Sequence, residues 1–202
     1  HAALTELTSH ELLATDALES TMKTVLRHIG KERFSQLIAV VVGDKGIGKT
    51  TLLKQVGERV SQNDNVDIVY AKMPSKTVSI SDLEKFISQL FPDVSFESGF
   101  NIYEIDNTLT KKTMIVIDEC QNIFLSQNGG FAAYYYFVNL INLNTKNIFW
   151  VMVFNKYSWL FLDRAFGRSL FFRNVFELKG WSDVKIKELI MRRHSKSNYK
   201  LS

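Results

Sequence analysis

Residues 36–51 read QLIAVVVGDKGIGKTT. Gln36 to Val42 is a short, β-branched apolar run that stops at a glycine, the pattern of a strand buried on both faces of a parallel sheet. The next eight residues, Gly43-Asp44-Lys45-Gly46-Ile47-Gly48-Lys49-Thr50, fit G-x-x-x-x-G-K-[ST]. Leu52, Leu53, Val56 and Val60 then recur at helical spacing. Taken alone, the eight-residue pattern arises by chance in on the order of one chain of this length in a hundred. Strand, glycine loop and helix in that order are the context that makes it a phosphate-binding loop.

The residue types follow from the chemistry. A triphosphate needs several backbone N–H groups converging on its oxygens, and side chains at those positions block the approach. Gly43, Gly46 and Gly48 clear the way and permit positive φ. The helix starting near Lys49 adds free N–H groups and a partial positive charge at its N-terminus. Lys49 is expected to reach the β- and γ-phosphates and the Thr50 hydroxyl to ligate Mg²⁺. Asp44, Lys45, Ile47 and Thr51 complete the expected nucleotide-binding segment.

A chain of 202 residues suits one α/β domain with short extensions. Its 46% hydrophobic content and 15 Phe are ample for a core, and no window is polar enough to predict disorder. The net charge of +4 is compatible with nucleic acid or an acidic membrane surface and requires neither. A single cysteine, Cys120, excludes an internal disulfide and predicts a reducing, cytoplasmic setting. No signal-peptide pattern opens the chain. The apolar windows at 131–141 and 148–154 are too short to cross a bilayer, so membrane association is expected only through segments outside this chain.

Around the loop, apolar spacing predicts a helix over residues 8–29 that ends near Gly30. Val66, Ile68 and Tyr70 alternate as a second strand. Ser81 and Glu84 read as a capping box ahead of Leu83, Phe86, Ile87 and Leu90, with Pro92 closing that helix. A short helix is expected over 102–109 and an aromatic-rich one over 131–143 whose rings serve mainly the core. Trp159 to Asp163 looks helical, Val175 to Leu178 forms a fifth strand, and Ser182 caps a last helix whose Val184, Ile186, Leu189 and Ile190 face inward. These spans divide the chain into an N-terminal helical segment (1–33), a core (34–180) and a last segment (181–202). The four His residues show no metal-ligand spacing.

Two further stretches carry chemistry. In TMIVIDECQ, residues 113–121, four apolar residues deliver Asp118 and Glu119 to the C-terminal edge of a strand, where ligands sit in open α/β sheets. Asp118 is expected to hold Mg²⁺, and Glu119 to orient and activate the attacking water. Cys120 reads as a packed residue, since no His lies near it in sequence. Ile148 to Phe154 is a buried-strand run ending at Asn155, a position from which an amide can hold the attacking water with Glu119. Asn155-Lys156-Tyr157-Ser158 also approaches the guanine-reading N-K-x-D, but Ser158 supplies no carboxylate and Gln121 stands where a GTPase would carry glycine. Guanine specificity is therefore rejected.

Together these segments resemble the AAA+ branch of P-loop ATPases, and most nearly the group with transposition ATPases of the TniB type, secretion ATPases of the ExeA type and origin-recognition-like proteins. GDKGIGKT is similar to their Walker A motif, IVIDECQNI to their Walker B, and Asn155 to their sensor-1 position. Arg168, in GRSLFF before the last strand, is similar in place to their arginine finger, with Arg164 and Arg173 as other candidates. The resemblance covers about residues 10–194. It implies a three-layer α/β fold with a parallel five-stranded sheet of order 5-1-4-3-2. It also implies ATP and Mg²⁺ bound at a contact with a second copy or a partner subunit, and a helical lid that is truncated or absent here. ATP turnover would drive a conformational or assembly change on a partner, DNA among the candidates. The rival class is a nucleotide-dependent interaction module with little hydrolysis. A small-molecule kinase is weaker, because the Asp-Glu pair fits water activation and no Arg-rich substrate lid separates the strands.

Overall fold

The computed structural model describes residues 38–64, 66–75, 77, 79–97, 99–125, 131–166, 172, 174–180 and 182–196. The helix expected over 8–29, and with it the segment 1–33, lies outside the described residues. Five strands, β1 (Ile38–Gly43), β2 (Asp67–Lys72), β3 (Thr113–Asp118), β4 (Ile148–Asn155) and β5 (Asn174–Leu178), form one sheet in the order β2-β3-β4-β1-β5. All four pairings are parallel. This is the expected order read from the other edge. The register brings Gly43 beside Asn155 and Leu178, and Lys72 beside Asp118. The C-terminal ends of all five strands thus share one edge.

Period-two alternation sorts the strand residues into two cores. One face carries Val40, Val42, Ile115, Ile117, Trp150, Met152 and Phe154. It is covered by α2 (Ile80–Gln89), α3 (Ile102–Thr108), α4 (Asn122–Leu125), α5 (Ala132–Ile141) and α6 (Lys156–Phe166). The other face, with Ala39, Val41, Met114, Val116, Val151 and Val153, meets Leu52, Leu53, Val56 and Val60 of α1 (Lys49–Asp64). Burial on both sides is why β1, β3 and β4 read as continuous apolar runs. β2 lies at the sheet edge and is half exposed, and its start at Asp67 leaves Val66 buried just ahead of it. In α5, Tyr134 and Phe137 are buried while Tyr135 remains 43% exposed, so its rings mainly serve the core, as expected.

Two local expectations are corrected. The box predicted at Ser81 and Glu84 is not formed: α2 begins at Ile80 with Ser79 as its N-cap. The Asp82 N–H donates to Ser79 Oγ at 3.1 Å and the Ser79 N–H donates to Asp82 Oδ2 at 3.0 Å. Two S-x-x-acid frames overlap in SISDLE, and the shorter Asp of the earlier frame closes both bonds. Glu84 is left to accept from the Tyr136 hydroxyl at 2.6 Å, joining α2 to α5. Burial first, and that bond second, push the Tyr136 hydroxyl up to about 12. Ser79→Ala is therefore expected to destabilise the protein by ~1 kcal/mol. Ser81→Ala stays within about 0.5 kcal/mol in the same thermal melts.

The second correction concerns the last helix, α7 (Asp183–Lys196). The Ile186 N–H donates to the Ser182 carbonyl at 3.0 Å, which sets Ser182 at the N-cap position. Val184, Ile186 and Ile190, predicted to face inward, are 77%, 42% and 53% exposed; the Leu189 side chain lies outside the described residues. Helical spacing reveals residues that favour burial without naming what covers them, and no described element covers these.

Candidate nucleotide-binding site

β1 ends at Gly43, which is wedged in place: a Cβ there would sit 2.9 Å from Ile47 Cγ2 and 3.2 Å from Leu178 Cβ. Beyond it, Gly46 and Gly48 adopt φ of 81° and 99°, and a Cβ on either would meet nothing within 4 Å. These two glycines therefore border open space and shape the concavity that a phosphate chain requires. α1 starts at Lys49, with the Leu52 N–H donating to the Gly48 carbonyl at 2.9 Å. The Lys49 ammonium folds back onto the loop, donating to the carbonyls of Gly43 (2.9 Å) and Asp44 (2.8 Å).

Thr50, in the first turn of α1, donates its hydroxyl to Asp118 Oδ2 at 2.6 Å. The other carboxylate oxygen, Oδ1, accepts from the Glu119 N–H at 2.8 Å. The hydroxyl of Tyr70, a residue 37% exposed on the edge strand, is pushed above its usual range, chiefly by desolvation and further by the Asp118 charge. Glu119 itself stands at φ 56°, the only non-glycine residue with positive φ among the described residues. Such a conformation costs roughly 1–2 kcal/mol and marks the sharp turn by which β3 ends. The chain returns at once to the sheet, with the Cys120 N–H donating to the Val153 carbonyl at 2.9 Å. Cys120 is fully buried, and desolvation drives its thiol far up, so it is no nucleophile at neutral pH.

β4 delivers Asn155 to the same edge. Its Oδ1 accepts from the N–H groups of Tyr157 (2.8 Å) and Ser158 (3.2 Å), capping α6 directly at the strand's end. That cap is why α6 begins at Lys156, three residues before the predicted Trp159. Lys156 turns aside to pair with Glu177 at 2.9 Å.

A cavity of about 570 Å³ opens above these strand ends, lined by Lys45, Lys49, Lys72, Glu119, Asn122 and Asn155 among others. Among the described residues, three ammonium groups against one carboxylate line it, a balance that suits a polyanion. Of the predicted residues, Lys45, Lys49, Glu119 and Asn155 meet at this cavity, and Thr50 and Asp118 are bonded to each other. Gly43, Asp44, Gly46, Ile47, Gly48 and Thr51 form the loop and the first helical turn. Arg168, with Arg173, lies outside the described residues; Arg164 lies exposed in the last turn of α6.

Three residues at this edge carry no prediction. Lys72 closes β2 beside Asp118. The Asn122 amide donates to the Met73 carbonyl at 2.8 Å. Gln121, only 5% exposed, donates its amide to Glu119 Oε2 and accepts from the Asn155 N–H at 3.2 Å through Oε1. A polar amide two residues after a strand-end carboxylate was the available signal for Gln121.

The AAA domain family matches residues 31–158 of this sequence. The chain belongs to that family. Similar folds occur in the ORC2 protein of Aeropyrum pernix, solved as ADPNP–ADP complexes (14% identical, TM-score 0.65, covering 88% of this chain and 50% of that one). They also occur in the ORC1 protein of Aeropyrum pernix in complex with DNA (16%, 0.66, 92% and 50%). Domain III of the Thermotoga maritima replication initiation protein DnaA is a third case (18%, 0.56, 96% and 76%). The chain spans about half the length of those ORC proteins. No curated protein matches in sequence. The AAA domain described here is thus a P-loop nucleotide-binding module with the sheet order expected of its class. Among the described residues, no helix is long and apolar enough to cross a membrane.

Proposed function

We propose that this AAA domain binds ATP with Mg²⁺ at the C-terminal edge of the sheet and hydrolyses it, coupling turnover to a change of conformation or assembly. The observation that carries the reading is the 2.6 Å bond from Thr50 to Asp118 beside a cavity lined by Lys49, Glu119 and Asn155. A hydroxyl and a carboxylate are hard oxygen donors, suited to Mg²⁺. Among the described residues, no group of three or more His, Cys, Asp or Glu side chains gathers at one point. This fits an ion that arrives with a triphosphate and takes most of its ligands from phosphate and water. When bound, Mg²⁺ neutralises charge developing on the phosphates.

In this reading Lys49 exchanges the Gly43 and Asp44 carbonyls for phosphate oxygens, while the loop N–H groups and Lys45 hold the remainder. Glu119 accepts a proton from the attacking water. Asn155 has its Oδ1 engaged by two backbone N–H groups, so its Nδ2 donors are the ones left to hold that water or a phosphate oxygen. Arg168 of a second copy would supply the remaining positive charge.

The test is steady-state ATP turnover against protein concentration, with and without duplex DNA, using Glu119→Gln as the blank. DNA enters because the ORC1 relative is described in complex with it. Specific activity that rises with concentration supports a site completed between copies, and a further rise with DNA supports that partner class. Turnover at the blank level despite ATP binding overturns the hydrolysis reading. It would favour instead a nucleotide-dependent interaction module. The specific observation on that side is the exposed apolar set on α6, with Tyr157 at 75% and Phe161 at 49%, within two turns of Asn155.

A further inference from the structure

We infer that Gln121 is a positioning residue, which aims the Glu119 carboxylate and fixes it relative to Asn155. The inference rests on the hydrolysis reading above and deepens it. Burying a primary amide is unfavourable unless both of its ends are paired, and an apolar side chain would fill the same space without that demand. Gln121 satisfies it with two bonds that matter to the site. Its Nε2 donates to Glu119 Oε2, and its Oε1 accepts from the Asn155 N–H.

Each end addresses a problem left by the fold. Glu119 stands on a left-handed turn with a long side chain beside an open cavity, and its rotamers would otherwise be free. Bonding Oε2 to a buried donor leaves Oε1 as the oxygen presented to water. Asn155 is already tied to α6 through its Oδ1; the bond from its N–H to Gln121 carries that restraint across to the end of β3. The proton acceptor and the water-holding amide, brought by different strands, are thereby locked to one another through a single side chain. Effective general-base catalysis depends on such registry, and a misplacement of about 1 Å costs roughly 100-fold in rate.

Two variants separate this role from plain packing. Gln121→Leu fills the space and removes both bonds, while Gln121→Glu keeps an acceptor for the Asn155 N–H and replaces the donor to Glu119 by a second carboxyl group that competes with it for charge. Both are expected to bind a fluorescent ATP analogue within about threefold of wild type and to lose ~10- to 100-fold in kcat. A thermal-unfolding cycle on nucleotide-free protein, combining Gln121→Leu with Glu119→Ala, needs no activity. The double variant is expected to lose less in Tm than the sum of the two single losses, as for side chains in contact.

Either variant with kcat within about twofold of wild type overturns the proposal. So does a fall in affinity that matches the fall in kcat, which marks a structural plug, or an additive Tm cycle, which shows the two side chains to be independent. A wild type no faster than its Glu119→Gln blank overturns the hydrolysis reading first. The positioning role falls with it, and a coupled cycle then marks only a structural bridge.

Discussion

A Glu119→Gln chain is expected to bind ATP as the wild type does and to turn it over ~10²–10⁴-fold more slowly, the range for removing a general base. The substitution keeps the shape of the side chain, and its amide oxygen can still accept from Gln121 Nε2. What disappears is the only carboxylate that lines the cavity among the described residues. Lys49→Ala behaves differently. It removes an ammonium that already braces the loop through the Gly43 and Asp44 carbonyls, and binding falls along with turnover. Nucleotide titration and phosphate release on the same preparations read both quantities. Unchanged turnover in Glu119→Gln would remove Glu119 from the chemistry altogether.

The largest loss of stability is expected at Asp106, a residue remote from the nucleotide edge. Asp106 is 3% exposed on α3, and its carboxylate accepts from the N–H groups of Lys146 (2.8 Å) and Asn147 (2.7 Å). Asn147 returns a bond from its amide to the Asp106 carbonyl at 3.0 Å, and its own carbonyl accepts from the Thr113 N–H at 2.7 Å. One carboxylate therefore clamps the turn before β4 and, through Asn147, the start of β3. Asp106→Ala leaves two backbone donors without their anion and is expected to destabilise by ~2–4 kcal/mol, or roughly 5–15 °C in Tm. Asp106→Asn retains one good acceptor and loses about half as much. Because the clamp lies at the N-terminal ends of the strands, ATP affinity of the folded variant should match wild type. A Tm within about 2 °C of wild type for Asp106→Ala would show that water replaces the clamp.

How much of this was legible in the sequence depends on the range of the interaction. The glycine loop, β3 with Asp118 and Glu119, and β4 with Asn155 are written in contiguous runs whose order implies the sheet, and each was read correctly in place. The cap of α2 was not, because SISDLE holds two frames that differ by two residues and only the closed bonds of Ser79 and Asp82 select between them. The start of α6 was missed for a similar reason: Asn155 was read as a strand terminus, and its second task as a helix cap depends on how the chain turns there. In the sequence Gln121 stands out only as the absence of a glycine. Its partners lie two and 34 residues away, and the second follows from sheet register, which a lone sequence does not display. On α7 the apolar spacing is evident in the sequence but the exposure of its stripe is not, since periodicity defines a stripe but not its cover.

The sheet order also sets a timetable for synthesis. β1 is the earliest of the five strands to leave the ribosome and lies fourth in the row, between β4 and β5. Ile38 must wait for Trp150, and Ala39 for Asn174, before either side of the strand is paired. At ordinary translation rates that wait is on the order of ten seconds. Meanwhile IAVVV, a β-branched run with no charge and no proline, is the sort of segment that pairs with its own kind when left exposed. The glycine loop is thus anchored to a strand whose neighbours arrive last, and the nascent chain is most vulnerable to aggregation before its candidate nucleotide site exists.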